Sequence, residues 1–144
     1  MSAKLERLAT NPLIRPSDVS FVKASGTFNP GVTVDRASDR VVFLVRIFEE
    51  ASRRSLLGLA LSADGRKIDE IWDRPAVARD ASYENWGAED ARITYLEAEK
   101  QYAITYTGYS RDGPRVCLIT TDDLLSPTRY RRHGPRIDGE NKNC

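Results

Sequence analysis

The chain has 144 residues, of which 40% are hydrophobic and 30% are charged, and its formal net charge is +1. This length can bury one ordinary core, and the even mixture of charges creates no overall field to attract nucleic acid or an anionic membrane. The most apolar run, Val41 to Phe48, is too short to cross a bilayer, and the N-terminus lacks the apolar core of a signal peptide. We therefore expect a cytoplasmic protein with no nucleic-acid or membrane partner.

Strand patterns dominate the chain, and only Ser2 to Leu8 predicts a helix. Residues 41–48 are rich in β-branched and aromatic side chains, and residues 57–62 form a second apolar run that ends at Ala63-Asp64-Gly65. The second half predicts three further strands, at residues 93–96, 101–108 and 115–120. The predicted fold class is all-β.

The two halves of the chain are similar in sequence. Residues 59–64 align with residues 117–122, and residues 43–46 align with residues 104–107. A repeat of about sixty residues that holds several short strands is typical of β-propeller blades, here at about 20–75 and 80–140. Alternatively, any two antiparallel meanders share alternating strands and Asp/Gly turns. Two blades alone would leave sheet margins without neighbours.

An acidic pair, Glu89 and Asp90, precedes the strand predicted at residue 93, and Arg92 follows Asp90 by two residues. Adjacent residues of an extended chain point to opposite sides, so one carboxylate can face a cavity while Arg92 or backbone donors hold the other. Such an arrangement can separate two pKa values and keep one carboxyl protonated as an acid. The alternative is a surface ion-pair cluster.

A basic run near the C-terminus has neither an aromatic platform nor a glycine-rich cradle, so we interpret it as a solvated loop. The single histidine and the two cysteines, Cys117 and Cys144, predict neither a metal site nor a disulfide framework. The basic run consists of Arg129, Arg131, Arg132, His133 and Arg136.

Seven short segments are more specific in their order than any one of them alone. They are Asn11–Ile14, Phe28–Gly31, Phe43–Arg46, Leu59–Gly65, Gly87–Thr94, Ile104–Tyr109 and Leu118–Leu124. In this order they resemble the N-terminal part of glycoside hydrolase family 130, the β-mannoside phosphorylases and related β-mannosidases. The resemblance runs from Asn11 to about Gly134.

The resemblance implies a five-bladed β-propeller with a sugar site on its central axis, of which this chain would form about two blades. Asp90 matches the general acid of the family motif Gly-x-Glu-Asp-Pro-Arg, which protonates the glycosidic oxygen, in several members through a mannose hydroxyl. Asn29, Arg46 and Arg92 match positions that line or buttress the mannose subsite. In this chain Ala91 replaces the proline of the motif.

Each candidate has a structural alternative. Asn29 could only shape the turn before Pro30, Arg46 could pair with Glu49 or Glu50, and Arg92 could simply neutralise Glu89. We also count Glu89 and Tyr109 as candidate substrate contacts, Tyr109 because it follows a predicted strand and can stack on a sugar face.

By this resemblance the substrate is a β-mannoside oligosaccharide, inorganic phosphate is the co-substrate, and no cofactor or metal is required. The products would be α-mannose 1-phosphate and the released sugar, with inversion at the anomeric carbon. Because the family holds phosphate with residues of later blades, we expect a truncated propeller with little or no independent catalysis. The alternatives are a β-mannosidase that uses water, and a non-catalytic β-sheet binding or assembly module. We further expect self-association through open sheet edges, or a second chain that completes the fold.

Overall fold

The computed structural model describes residues 6–142, which contain eight β-strands and three short 3₁₀ turns. The predicted all-β class is confirmed. Of the predicted helix, Ser2 to Leu5 lie outside the described residues and Glu6 to Leu8 are not helical. The strands are β1 Ala24–Val34, β2 Val41–Glu49, β3 Arg54–Ser62, β4 Glu70–Val77, β5 Gly87–Leu96, β6 Gln101–Ser110, β7 Gly113–Thr121 and β8 Arg131–Pro135. The 3₁₀ turns are Pro16–Asp18, Ser82–Glu84 and Pro127–Arg129.

The strands form two antiparallel meanders of four strands each. In the first, β1 pairs with β2, β2 with β3 and β3 with β4. The second meander repeats this order from β5 to β8. One parallel pairing, between Ser55 of β3 and Gly87 of β5, joins the two meanders.

The main core lies between the two meanders. Strand β2 is apolar on both faces, so it contributes to this core and to a second apolar cluster. Val42 and Leu44 of β2 share this core with Ile104 and Tyr106 of β6. The alternate residues of β2 pack on the other face against the segment before β1, as expected for a strand buried on both sides. This second group contains Phe43, Val45 and Ile47.

The sequence analysis did not predict three of the strands, and each of them contains residues that are typical of turns or loops. The Asn29-Pro30 pair of β1 suggests a turn, and Pro75 interrupts β4. The basic run interpreted as a solvated loop contains β8, and Arg132 within it pairs with the buried Glu84. Among the described residues, no helix is long enough and apolar enough to span a membrane.

Candidate active site

Two strand irregularities bring β1 and β5 together. The register shifts between Phe28 and Gly31 in β1, and between Glu89 and Arg92 in β5. A side chain at Gly31 would place its Cβ 2.8 Å from the Ala91 carbonyl oxygen, so only glycine allows this close approach.

The functional side chains lie within these bulges. Asn29 and Asp90 have φ angles of 37° and 53°, in the left-handed region that asparagine and aspartate tolerate better than most residues. The bulges turn the two side chains toward each other across the junction of the meanders. Asp90 therefore lies inside strand β5, whereas the sequence predicted a loop at this point.

Asp90 is buried and its two carboxylate oxygens are used unequally. Oδ1 accepts hydrogen bonds from Asn29 Nδ2 at 3.0 Å and from Arg46 Nη1 at 3.1 Å, and the residue is only 6% exposed. Within residues 6–142, no hydrogen bond reaches Oδ2. One oxygen is thus held firmly while the other retains its capacity for a further partner.

Arg46 connects three strands through one guanidinium group. Its Nε donates to Ser55 Oγ at 2.9 Å, its Nη1 donates to Asp90, and its Nη2 donates to Glu89 Oε1 at 2.8 Å. The ring of Phe28 lies 5.7 Å from the guanidinium carbon, within the range of a cation–π contact. Such a planar group of donors fixes the orientation of the two carboxylates, and its positive charge balances their negative charges.

Glu89 lies beside Asp90 but has different partners. Its Oε1 accepts from Arg46 and its Oε2 accepts from Lys142 Nζ at 3.0 Å. In the sheet it is paired with Thr107, whose buried Oγ1 has no hydrogen-bond partner within the described range.

The local charges set the protonation state of Asp90. Burial raises the pKa of this carboxyl, but the hydrogen bonds from Asn29 and Arg46, together with the positive charges of Arg46 and Lys142, outweigh that effect. The net result is a pKa below the ordinary value of 3.8. This direction favours the ionised form of Asp90 rather than a carboxyl kept protonated by its surroundings.

An aromatic pair borders the Glu89 side of the cluster. Trp86 and Tyr109 are 39% and 38% exposed, and their ring centroids lie 5.5 Å apart in an edge-to-face arrangement. Tyr109 pairs with Gly87, and a Cβ at Gly87 would lie 3.2 Å from Glu89 Oε1. The exposed rings are thus next to a buried carboxylate, at the end of β5 where the strand begins.

Four of the predicted site residues converge: Asn29, Arg46, Glu89 and Asp90. The predicted alternatives for Arg46 are wrong, because Glu49 pairs with Arg79 and Glu50 pairs with Lys23.

Arg92 does not join the cluster. It is exposed, and its Nη1 donates to the Ala91 carbonyl at 2.7 Å, so it does not neutralise Glu89. Two members were missed in the sequence. Neither Ser55 nor Lys142 lies in any of the seven ordered segments.

Asn29 also borders an apolar cavity of about 260 Å³, formed by the segment before β1 against β1 and β2. Glu89 and Asp90 do not line this cavity, so Asn29 is the residue that the polar cluster and the cavity share. Within residues 6–142, no group of three or more His, Cys, Asp or Glu side chains is arranged to hold a metal ion.

Comparison with known proteins decides the family. The model of glycoside hydrolase family 130, described as beta-1,4-mannooligosaccharide phosphorylase, matches residues 4–143. The chain belongs to glycoside hydrolase family 130. The resemblance expected from the seven ordered segments is thereby confirmed.

Individual relatives show what share of a longer protein this chain matches. Beta-1,2-mannobiose phosphorylase from Thermoanaerobacter sp. (strain X514) is 29% identical, over 98% of this chain and 49% of that protein. A glycosyl hydrolase structure from Bacteroides ovatus is 26% identical with a TM-score of 0.73, over 88% of this chain and 39% of that chain. The beta-1,2-mannobiose phosphorylase structure from Listeria innocua shares the fold at 20% identity and a TM-score of 0.75, over 90% of this chain and 50% of that chain. The chain thus spans half or less of the length of these relatives.

Proposed function

We propose that this chain forms two blades of a five-bladed β-propeller and supplies the proton-donating half of a β-mannoside phosphorylase site. The observation that carries the proposal is the convergence of Asn29 and Arg46, from the first meander, on Asp90 of the second. A site built across the junction of two blades faces the region where a propeller has its central axis. Family membership supports the same class of reaction.

Asp90 is the proposed general acid, and its Oδ2 is the oxygen that carries the proton. Phosphate attacks the anomeric carbon from the opposite face, the bond to the leaving sugar oxygen breaks, and that oxygen receives the proton, directly or through a mannose hydroxyl. Because the pKa of Asp90 is lowered in the free chain, the carboxylate must gain a proton before each turnover. A bound sugar that competes for the donors of Asn29 and Arg46 would favour this step.

The remaining residues have distinct proposed roles. Asn29 and Arg46 carry the amide and guanidinium donors that bind sugar hydroxyls with defined geometry. Tyr109, with Trp86 against it, offers an exposed aromatic surface for the leaving sugar. Arg92 is exposed and lies outside the cluster, so we propose no sugar-binding role for it.

Phosphate, the second reactant, has no partner assigned in the described cluster. The three relatives described above are about twice as long as this chain or longer, and we propose that residues of that additional length hold the phosphate. We therefore expect the chain alone to bind a β-mannoside with little or no turnover.

Sugar binding tests this function directly. We expect β-1,2-mannobiose or β-1,4-mannobiose at millimolar concentration to shift the NMR signals of Asn29, Arg46, Asp90 and Tyr109, with cellobiose as the control sugar. Equal shifts with cellobiose, or no shifts near Asp90, would overturn the proposal.

Product analysis separates the possible reactions. Release of α-mannose 1-phosphate that requires phosphate supports phosphorolysis. Release of mannose without phosphate supports a β-mannosidase, which the likeness to the Bacteroides ovatus glycosyl hydrolase also favours. A stable multimer that binds neither disaccharide would support a non-catalytic assembly module.

A further inference from the structure

We propose that Glu89 is a positioning residue rather than a sugar ligand: its carboxylate holds Arg46 against Asp90 and ties the segment at residues 141–142 to β5. The inference deepens the proposed function, because it rests on Asp90 being the proton donor. It reassigns a residue that the sequence suggested as a substrate contact.

The first step is that both oxygens of Glu89 are already engaged. Oε1 accepts from Arg46 Nη2 at 2.8 Å, and Oε2 accepts from Lys142 Nζ at 3.0 Å. The residue is only 7% exposed, and both partners are cations. Each oxygen keeps a second lone pair, but the side chain is nearly buried and both oxygens are held by cations through charge-assisted hydrogen bonds, so a sugar hydroxyl has little access to either one.

The second step is that Glu89 limits the rotation of Arg46. The guanidinium meets Ser55 through Nε and Asp90 through Nη1, and Glu89 is the acceptor for Nη2. A planar group held at three nitrogens keeps one orientation, whereas a group held at two can swing about the remaining bonds. The 3.1 Å bond to Asp90 therefore depends on Glu89, although Glu89 does not touch the oxygen that reacts.

The third step concerns the segment that follows β8. The backbone N–H of Asn141 donates to the Pro114 carbonyl of β7 at 2.8 Å, and the next residue, Lys142, reaches across to Glu89. Glu89 thus joins β2, β5 and this segment at one point. The ionic and polar groups near Asp90 are Asn29 from β1, Arg46 from β2, Glu89 from its own strand and Lys142 from the segment.

The two possible roles of Glu89 predict opposite changes in the titration of Asp90. If Glu89 acts only as a neighbouring negative charge, Glu89→Gln removes repulsion and the pKa of Asp90 falls. If Glu89 holds Arg46, the same substitution loosens the guanidinium, weakens its bond to Asp90, and the pKa of Asp90 rises. We expect a rise of about one pH unit.

The experiment is a carboxyl-carbon NMR titration of Asp90 in the full chain, without sugar. Thr107→Val is the matched control, since it changes the residue paired with Glu89 without removing a charge or an existing hydrogen bond, and we expect no change in the midpoint. A fall or no change in Glu89→Gln would overturn the proposal.

A second variant covers the case in which Glu89→Gln does not fold. Glu89→Asp keeps the charge but shortens the reach to Arg46 and Lys142, so we again expect the midpoint to rise, and an unchanged midpoint would refute the positioning role. Because neither measurement uses a sugar, failure here is distinguishable from failure of the proposed function, which would appear as absent mannobiose binding in the unmodified chain.

Discussion

Two buried carboxylates, Glu84 and Asp90, each bind an arginine, but they differ in how much bonding capacity remains. Glu84 is completely buried, with Arg132 donating to Oε1 and the Tyr106 hydroxyl donating to Oε2. Asp90 accepts both of its hydrogen bonds on Oδ1. The first carboxylate has a partner on each oxygen, whereas the second has one oxygen without a partner among the described residues.

The surroundings of Glu84 fix its partners in one protonation state. Burial, followed by the negative charge of Glu84, raises the pKa of Tyr106 far above its ordinary value, so the phenol remains a donor. Burial lowers the pKa of Arg132, but the charge of Glu84 outweighs this and the net change is upward. The comparison teaches that a fully satisfied carboxylate holds structure, while one with an open oxygen is available for chemistry.

The largest expected effect is the loss of stability on removing the saturated carboxylate. Glu84→Ala leaves the buried Tyr106 hydroxyl without its acceptor and removes the buried carboxylate that binds Arg132, which keeps only the Ala78 carbonyl and the exposed Asp80. We expect the free energy of unfolding to fall by about 3 kcal/mol. Urea denaturation measures this loss. Glu97→Ala removes an exposed ion pair with Arg36 and serves as the control, with an expected change below about 1 kcal/mol. Equal losses of unfolding free energy in Glu84→Ala and Glu97→Ala would show that Glu84 does not have the stabilising role assigned to it.

A second variant tests whether Arg46 is what keeps the Asp90 cluster ionised. Arg46→Met leaves Glu89 and Asp90 as adjacent buried carboxylates, and we expect a loss of about 2 kcal/mol at pH 7. In this variant the folded-state pKa of Asp90 rises above its unfolded value, so the free energy of unfolding increases as pH falls toward about 4. Urea denaturation at pH 7, 5.5 and 4 would detect this reversal. The same pH slope as in the unmodified chain would contradict it.

A smaller effect on stability is expected when the open carboxylate loses its charge. Asp90→Asn retains an acceptor for Asn29 and Arg46 and suits the left-handed backbone, so we expect a loss of about 1 kcal/mol. In the unmodified chain the pKa of Asp90 is lowered by folding, so its contribution is present above the unfolded pKa and is lost as pH falls through the folded pKa. Tryptophan fluorescence during acid titration should show a shallower loss of stability in Asp90→Asn. An unchanged acid transition would show that Asp90 is not linked to folding.

The smallest expected change concerns the aromatic border of the site. Tyr109 is partly exposed, so Tyr109→Ala should reduce the free energy of unfolding by only about 0.5 kcal/mol. If the ring binds the leaving sugar, mannobiose affinity should fall about fivefold while mannose affinity stays constant. Tyr109→Phe keeps the ring and should retain the affinity, which calorimetry can verify. Equal weakening for mannose and mannobiose would place the ring elsewhere in the sugar site.

Continuous apolar runs and β-branched or aromatic residues made five strands predictable, and local exceptions hid the other three. The apolar runs in β2 and β3 satisfy strand rules at nearly every residue. In β1, by contrast, the signals for a turn are real but produce a bulge inside a strand. In β8, charged residues form a short strand at the edge of its meander. The partly buried position of Arg132 there depends on Glu84, a partner distant in sequence.

The site was predictable only where a motif linked distant positions. The ordered segments brought together Asn29, Arg46 and Asp90, which lie on three different strands. Nothing local distinguishes the hydroxyl of Ser55 from those of other serines, so its hydrogen bond with Arg46 could not be predicted from the sequence. The direction of Arg92 was also unpredictable, because the bulge alters the strict alternation of side chains along β5.

Ser55 gives the junction between the meanders a chemical meaning. The residue makes the pairing with Gly87 that connects the two meanders, and its hydroxyl accepts a hydrogen bond from the guanidinium that binds Asp90. Ser55 therefore links the joint between the meanders to the orientation of the guanidinium that binds Asp90. A substitution at Ser55 would thus act on the Asp90 cluster through Arg46, without contacting a sugar.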